Sequence, residues 1–100
     1  MDRSEKKHVP GLGEELHAIV LVALSPSAYR DPQKTAERLA KYKEVESVDI
    51  LTGNWDLALE VKAETSEALY AFLKRIIAKE GEIVKTNSLI SLKRIEHTSF

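Results

Sequence analysis

The chain contains no cysteine, which excludes disulfides, thiolate metal sites and a cysteine nucleophile together. It lacks any excess of charge: 15 Lys and Arg stand against 16 Asp and Glu, for a formal net charge of −1. Such a balance gives no general pull toward nucleic acid or an anionic membrane. There is no long hydrophobic run either. The longest, residues 18–24, is far too short to cross a bilayer. The basic opening "MDRSEKKH" is followed by no signal-peptide hydrophobic segment, so a cytoplasmic location is expected. No segment is of low complexity and no internal repeat is present.

What remains is a globular composition, 43% hydrophobic and 31% charged over 100 residues, the size of one small domain. A chain of this length buries only roughly two-thirds of its unfolded surface. Its core is thin, and oligomerisation is an economical way to cover the rest. Abundant Lys and Glu with no Cys suits a thermophile.

Residues 1–13 read as a flexible N-terminal arm, polar first and then broken by "VPGLG". They leave no room for a helix-turn-helix, which needs two complete helices. A single domain is expected over 14–100. Residues 16–24, "LHAIVLVAL", are nearly all apolar and rich in branched side chains, the pattern of a strand buried on both faces. After the break "SPSAYRDP", Asp31 is placed to cap a helix over 32–43, with Pro32 in its first turn. Alternation then predicts a strand over 45–52 and, after the Gly53–Asn54 turn, a return strand carrying Leu57, Leu59 and Val61. Thr65 or Ser66 caps a second helix with the stripe Leu69, Phe72, Leu73, Ile76 and Ile77, stopped by Gly81. A last strand is predicted over 84–95, with Thr86, Ser88, Ile90 and Leu92 on one face.

The order β-α-β-β-α-β predicts an α+β, ferredoxin-like sandwich: a four-stranded antiparallel sheet with two helices on one face. The opposite face is left uncovered although the first strand is apolar on both sides. A second copy packed against it, in a dimeric α/β-barrel-like assembly, would supply the cover.

The hairpin "LTGNWD", residues 51–56, poses the chemical question. As a turn, Gly53–Asn54 reverses the chain and Asp56 braces the backbone. As a binding loop, N–H groups around Gly53 and Asn54 would cradle a carboxylate, and Asp56 would accept from an ammonium. Thr86 and Ser88, two apart on a strand, would add hydroxyls from one face; as plain edge-strand residues they would do neither. Trp55 is either packing over the hairpin or an anchor for a ligand or a neighbouring subunit.

With these pieces in place the stretch "VESVDILTGNWDLALEVKAETSEALYAFLKRIIAKEGEIVKTNSLISL" resembles the ligand-binding and oligomerisation domain of the Lrp/AsnC (feast/famine) transcription regulators. The likeness rests on a "V..V..LTG..DL.L.V" hairpin, a helix with "L..F....I...G", and a "T.S" pair in the last strand, and spans about 14–96. Full-length members carry a helix-turn-helix domain, so the expectation is a stand-alone effector domain without direct DNA binding. The resemblance implies dimers that assemble further, into octamer-like rings or similar, with an amino-acid effector site between dimers. Carried over by residue, the site would hold Thr52, Gly53, Asp56, Thr86 and Ser88, with Asn54 and Trp55 at the variable positions.

The function expected is therefore a non-enzymatic, amino-acid-binding regulatory domain that self-assembles and modulates full-length Lrp/AsnC regulators, with no cofactor or metal implied. The alternatives are a small ferredoxin-like dimeric enzyme of oxygenase or isomerase type, or a ligand-free scaffold. An enzyme would draw on His17, Tyr29, Tyr42 and Tyr70, which have no recognisable catalytic spacing. His17, in the most apolar strand, reads as a satisfied core or dimer-interface histidine. His8 and His97 stand at no metal-ligand spacing from it.

Overall fold

The computed structural model describes residues 15–98; the arm over 1–13 lies outside them. These residues form β1 (Leu16–Leu24), α1 (Pro26–Tyr29), α2 (Pro32–Leu39), β2 (Val45–Ile50), β3 (Leu57–Ala63), α3 (Ser66–Lys79) and β4 (Ile83–Ile90). The sheet is antiparallel with strand order β2-β3-β1-β4, the ferredoxin-like arrangement expected. Each long helix carries the chain over a strand that intervenes between its own two, as interleaved split βαβ units require.

The period-2 pattern decides which side is core. Ala18, Val20, Val22 and Leu24 of β1 and Leu57, Leu59, Val61 and Ala63 of β3 are all buried, beneath Ala36 and Leu39 of α2 and Leu69, Phe72 and Ile76 of α3. Ile77, at the edge of the α3 stripe, stays 46% exposed. Both long helices start where the sequence places them. Asp31 accepts the Lys34 N–H at 3.3 Å, and Thr65 accepts the Ala68 N–H at 3.0 Å, each satisfying a first-turn donor.

The ends of several elements differ from expectation, each for a visible reason. Residues 25–29, read as a break, make one helical turn capped by Ser25 that buries Ala28. α2 stops at Leu39 and not at Lys43, because Lys41 N–H and Tyr42 N–H donate to Arg38 and Leu39 carbonyls and tighten the chain into turns. That turn lays Tyr42 edge-on against Phe72, with ring centroids 5.8 Å apart. β2 ends at Ile50 since Leu51 N–H already closes the hairpin on Asp56 O at 2.9 Å. Gly81 follows the C-cap Glu80 without a left-handed φ, which among the described glycines belongs to Gly53. β4 ends at Ile90, five residues before the predicted Ile95. Its partner runs out there: Ile90 pairs with Ala18, and Ser91 N–H makes a last bond to His17 O at 2.8 Å.

The face away from the helices carries Ile19, Leu21, Ala23, Ala58 and Leu89. Ile19 and Leu89 are 45% and 49% exposed.

Candidate functional site

The hairpin loop is built by two backbone demands. Leu51 N–H and Asp56 O close it, leaving residues 52–55 to reverse the chain. Gly53 makes the reversal at φ 108°, a conformation that side chains resist but glycine adopts freely. Thr52, Gly53 and Asn54 are exposed and Trp55 is half-buried.

Asp56 is anchored to β1. Its N–H donates to Val22 O at 2.9 Å, and its Oδ2 accepts the Leu24 N–H at 2.7 Å. Both turn and brace are therefore present, with the brace directed to a neighbouring strand and not back into the loop. Among the described residues no donor reaches Oδ1.

Trp55 meets a partner that nothing in the sequence singled out. The Lys85 ammonium lies 5.2 Å from the centroid of its indole ring. Lys85 stands on β4 opposite Ala23, so it shares the uncovered side of the sheet with Asn87 and Leu89. Only the pairing register brings residues 55 and 85 together, and no local pattern encodes that register.

Thr86 and Ser88 do share a face, as expected, but it is the helix side of β4. Thr86 lies opposite Val22, whose other neighbour is Leu57, and Ser88 lies opposite Val20. β1 thus separates their strand from β3 by two strand spacings, roughly 9.6 Å. One copy of the chain places Lys85 over Trp55 of the loop and turns Thr86 and Ser88 to the helix side of the sheet.

The start of β4 is fixed by a polar clasp. Arg38 Nε donates to Glu80 Oε1 at 3.0 Å and its guanidinium also pairs with Glu82. Tyr42 Oη donates to Glu80 Oε2 at 3.0 Å, and Ser25 N–H to Glu82 O at 2.8 Å. Glu80 is only 7% exposed, so its charge depends on these donors. Burial, then the hydrogen bond and charge of Glu80, push the Tyr42 phenol up from its ordinary value. The hydrogen bond to Glu80 raises Arg38, against the opposing effect of burial. α2 and the end of β1 are thereby locked to the residues just before Lys85 and Thr86.

The residues an enzyme would need do not converge. His17 sits on the uncovered face, where its Nδ1 has no hydrogen-bond partner and Glu46 Oε1 is 3.9 Å away. It is neither a core residue nor satisfied there. Tyr42 packs on the helix side, and Tyr29 and Tyr70 are exposed at 60% and 63%. Among the described residues no group of three or more His, Cys, Asp or Glu is placed to hold a metal ion, and no helix is long and apolar enough to cross a membrane.

A model of the Lrp/AsnC ligand binding domain matches residues 17–99. The chain belongs to the Lrp/AsnC family. Among curated Lrp/AsnC-type relatives, the HTH-type transcriptional regulator FL11 of Pyrococcus horikoshii is 32% identical over 88 residues, 88% of this chain and 56% of that protein. The chain thus spans little more than half the length of this relative. The solved hypothetical protein PHS023 from the same organism superposes with a TM-score of 0.67 at 25% identity, covering 85% of this chain and 99% of its own. The transcriptional regulator NMB0573 of Neisseria meningitidis, solved as an L-Met complex, superposes at 0.70 with 24% identity, over 99% of this chain and 60% of that one. The Lrp/AsnC domain matched is a regulatory, ligand-binding one, and the relatives that carry it are named transcriptional regulators.

Proposed function

We propose that this chain is a non-enzymatic, amino-acid-sensing domain that pairs through its uncovered sheet face, assembles further, and modulates full-length Lrp/AsnC regulators in the cytoplasm. The observation that carries the reading is the hairpin, where a glycine at φ 108° exposes the loop beside Trp55 and Lys85. An amino acid presents a carboxylate, an ammonium and a side chain. Lys85 and the N–H groups around Gly53 and Asn54 suit the carboxylate, Asp56 Oδ1 suits the ammonium, and the Trp55 face suits an apolar side chain. Thr86 and Ser88 would complete the shell from a neighbouring copy, since they stand on the helix side of β4 while Lys85 meets the loop from the other side. The L-Met bound to the Neisseria meningitidis neighbour supports an amino acid as the ligand class. The scattered His17 and tyrosines favour this reading over an enzyme.

Thermal shift against the twenty amino acids tests it, read together with the fluorescence of the single Trp. A ligand at ~100 times its dissociation constant adds about 2.7 kcal/mol of stability and changes the Trp55 emission. A folded oligomer that none of the twenty stabilises would overturn the amino-acid reading and leave a scaffold.

A further inference from the structure

Lys85 owes its place to an irregularity in the sheet. Ala23 pairs with Lys85 and the next residue, Leu24, with Ile83, so one step along β1 is matched by two along β4 and Val84 is the extra residue. Side chains alternate between the faces of a strand, and Ile83 is buried in the core. In an unbroken ladder Lys85, two residues on, would share that side. The bulge turns it to the other face, which is how bulges re-aim single side chains. Leu24, at the same irregularity, gives its N–H to Asp56 Oδ2. The two residues that follow the Gly53–Asn54 turn are thus both tied to one bulge. Trp55 is tied by the Lys85 ammonium 5.2 Å from its ring centroid, and Asp56 by the Leu24 amide.

Charge decides what this pair accepts. Among the described residues Lys85 forms no salt bridge; its ammonium lies over the Trp55 ring instead. Glu82, three residues back, pairs with Arg38, and Asp56 is held by Leu24. A cation on an aromatic face is a weaker contact than a charge-assisted hydrogen bond to a carboxylate, so an α-carboxylate draws the ammonium off the ring. That frees the indole for the ligand's side chain. A basic side chain meets a like charge there, with no carboxylate paired to Lys85 to offset the repulsion.

We infer that Lys85 is a specificity-determining residue of the loop, admitting amino acids with uncharged side chains and rejecting those with basic ones. The inference rests on the amino-acid reading proposed above and adds the charge class of the side chain.

Lysine is norleucine with an ammonium on its terminal carbon, so the ratio of their affinities isolates the charge. Calorimetric titration of the full chain should show norleucine binding roughly tenfold or more tighter than lysine. Lys85→Gln keeps a donor for the carboxylate and should shrink that ratio several-fold, whereas Lys85→Arg should keep it. Lys85 is exposed, so both variants should retain the parent's far-UV spectrum. A ratio unchanged in Lys85→Gln, or a parent that binds lysine as tightly as norleucine, overturns the inference and leaves the amino-acid reading in place. A Lys85→Gln chain that binds neither while Lys85→Arg binds both makes Lys85 an anchor and not a filter, and overturns it equally. So does a parent that binds neither while another of the twenty amino acids stabilises it. If none of the twenty stabilises the folded chain, the reading beneath the inference falls with it.

Discussion

Asp56 Oδ2 accepts the Leu24 N–H at 2.7 Å, across 32 residues of sequence. This bond ties the hairpin to the last residue of β1 through a side-chain carboxylate. Asp56→Ala leaves a part-buried N–H without a partner. It should destabilise the chain by about 1–3 kcal/mol, read as a lower urea midpoint. Asp56→Asn keeps an acceptor and should lose much less. Equal stability of parent and Asp56→Ala would show that the brace carries no weight.

Gly53 has open space where a Cβ would sit but a φ of 108°, so Gly53→Ala isolates the backbone effect. The expected loss is about 1–2 kcal/mol, a fall of roughly 4–16 °C in Tm for a domain this size. Gly81 has equal space without a positive φ, and Gly81→Ala should be neutral or slightly stabilising.

The core and its rim should differ sharply on α3. Phe72 is fully buried, and Phe72→Ala should cost about 3–5 kcal/mol in equilibrium unfolding. Ile77→Ala, at 46% exposure, should stay within about 1 kcal/mol. Tyr42→Phe removes one donor to the buried Glu80 while keeping the ring on Phe72, and should cost about 1.5–3 kcal/mol.

Acid should weaken the fold partly through Glu44. Burial pushes its carboxyl up, but the Arg75 hydrogen bond, its own backbone N–H and nearby positive charge outweigh that and leave it below its ordinary 4.5. The Arg75 contact is 2.7 Å long. A carboxyl depressed on folding contributes stability above its unfolded value, and the contribution disappears as pH falls through the folded one. Glu44→Gln should therefore be less stable than the parent at pH 6, by about 1 kcal/mol given the half-exposed arginine. The difference should shrink as pH falls below about 4.5. Denaturant titrations at a series of pH values check the sign; a gap that widens in acid would refute it.

Legibility in the sequence followed the range of the interaction involved. β1 and α3 were readable because their apolar period is local, and the Asp31 and Thr65 caps bond three residues away. The hairpin was readable because one glycine in a short loop leaves few alternatives. The far end of β4 was not, since alternation continued past the point where β1 stops offering a partner. Tyr42, Glu80 and Arg38 look like ordinary surface residues in sequence. They form a clasp only because α2 and the α3–β4 connection meet in space.

The sequence by itself determined the order of elements, the side of each strand that becomes core, and the presence of a glycine-dependent loop with a tryptophan beside it. Periodicity and turn chemistry act within a few residues, so they are written in the chain. Tertiary structure alone decided that Asp56 braces β1, that Lys85 lies over Trp55, and that Thr86 and Ser88 face the helices with β1 between them and the loop. Those outcomes depend on the β3-β1-β4 register, which is set by burying one face of the whole sheet at once.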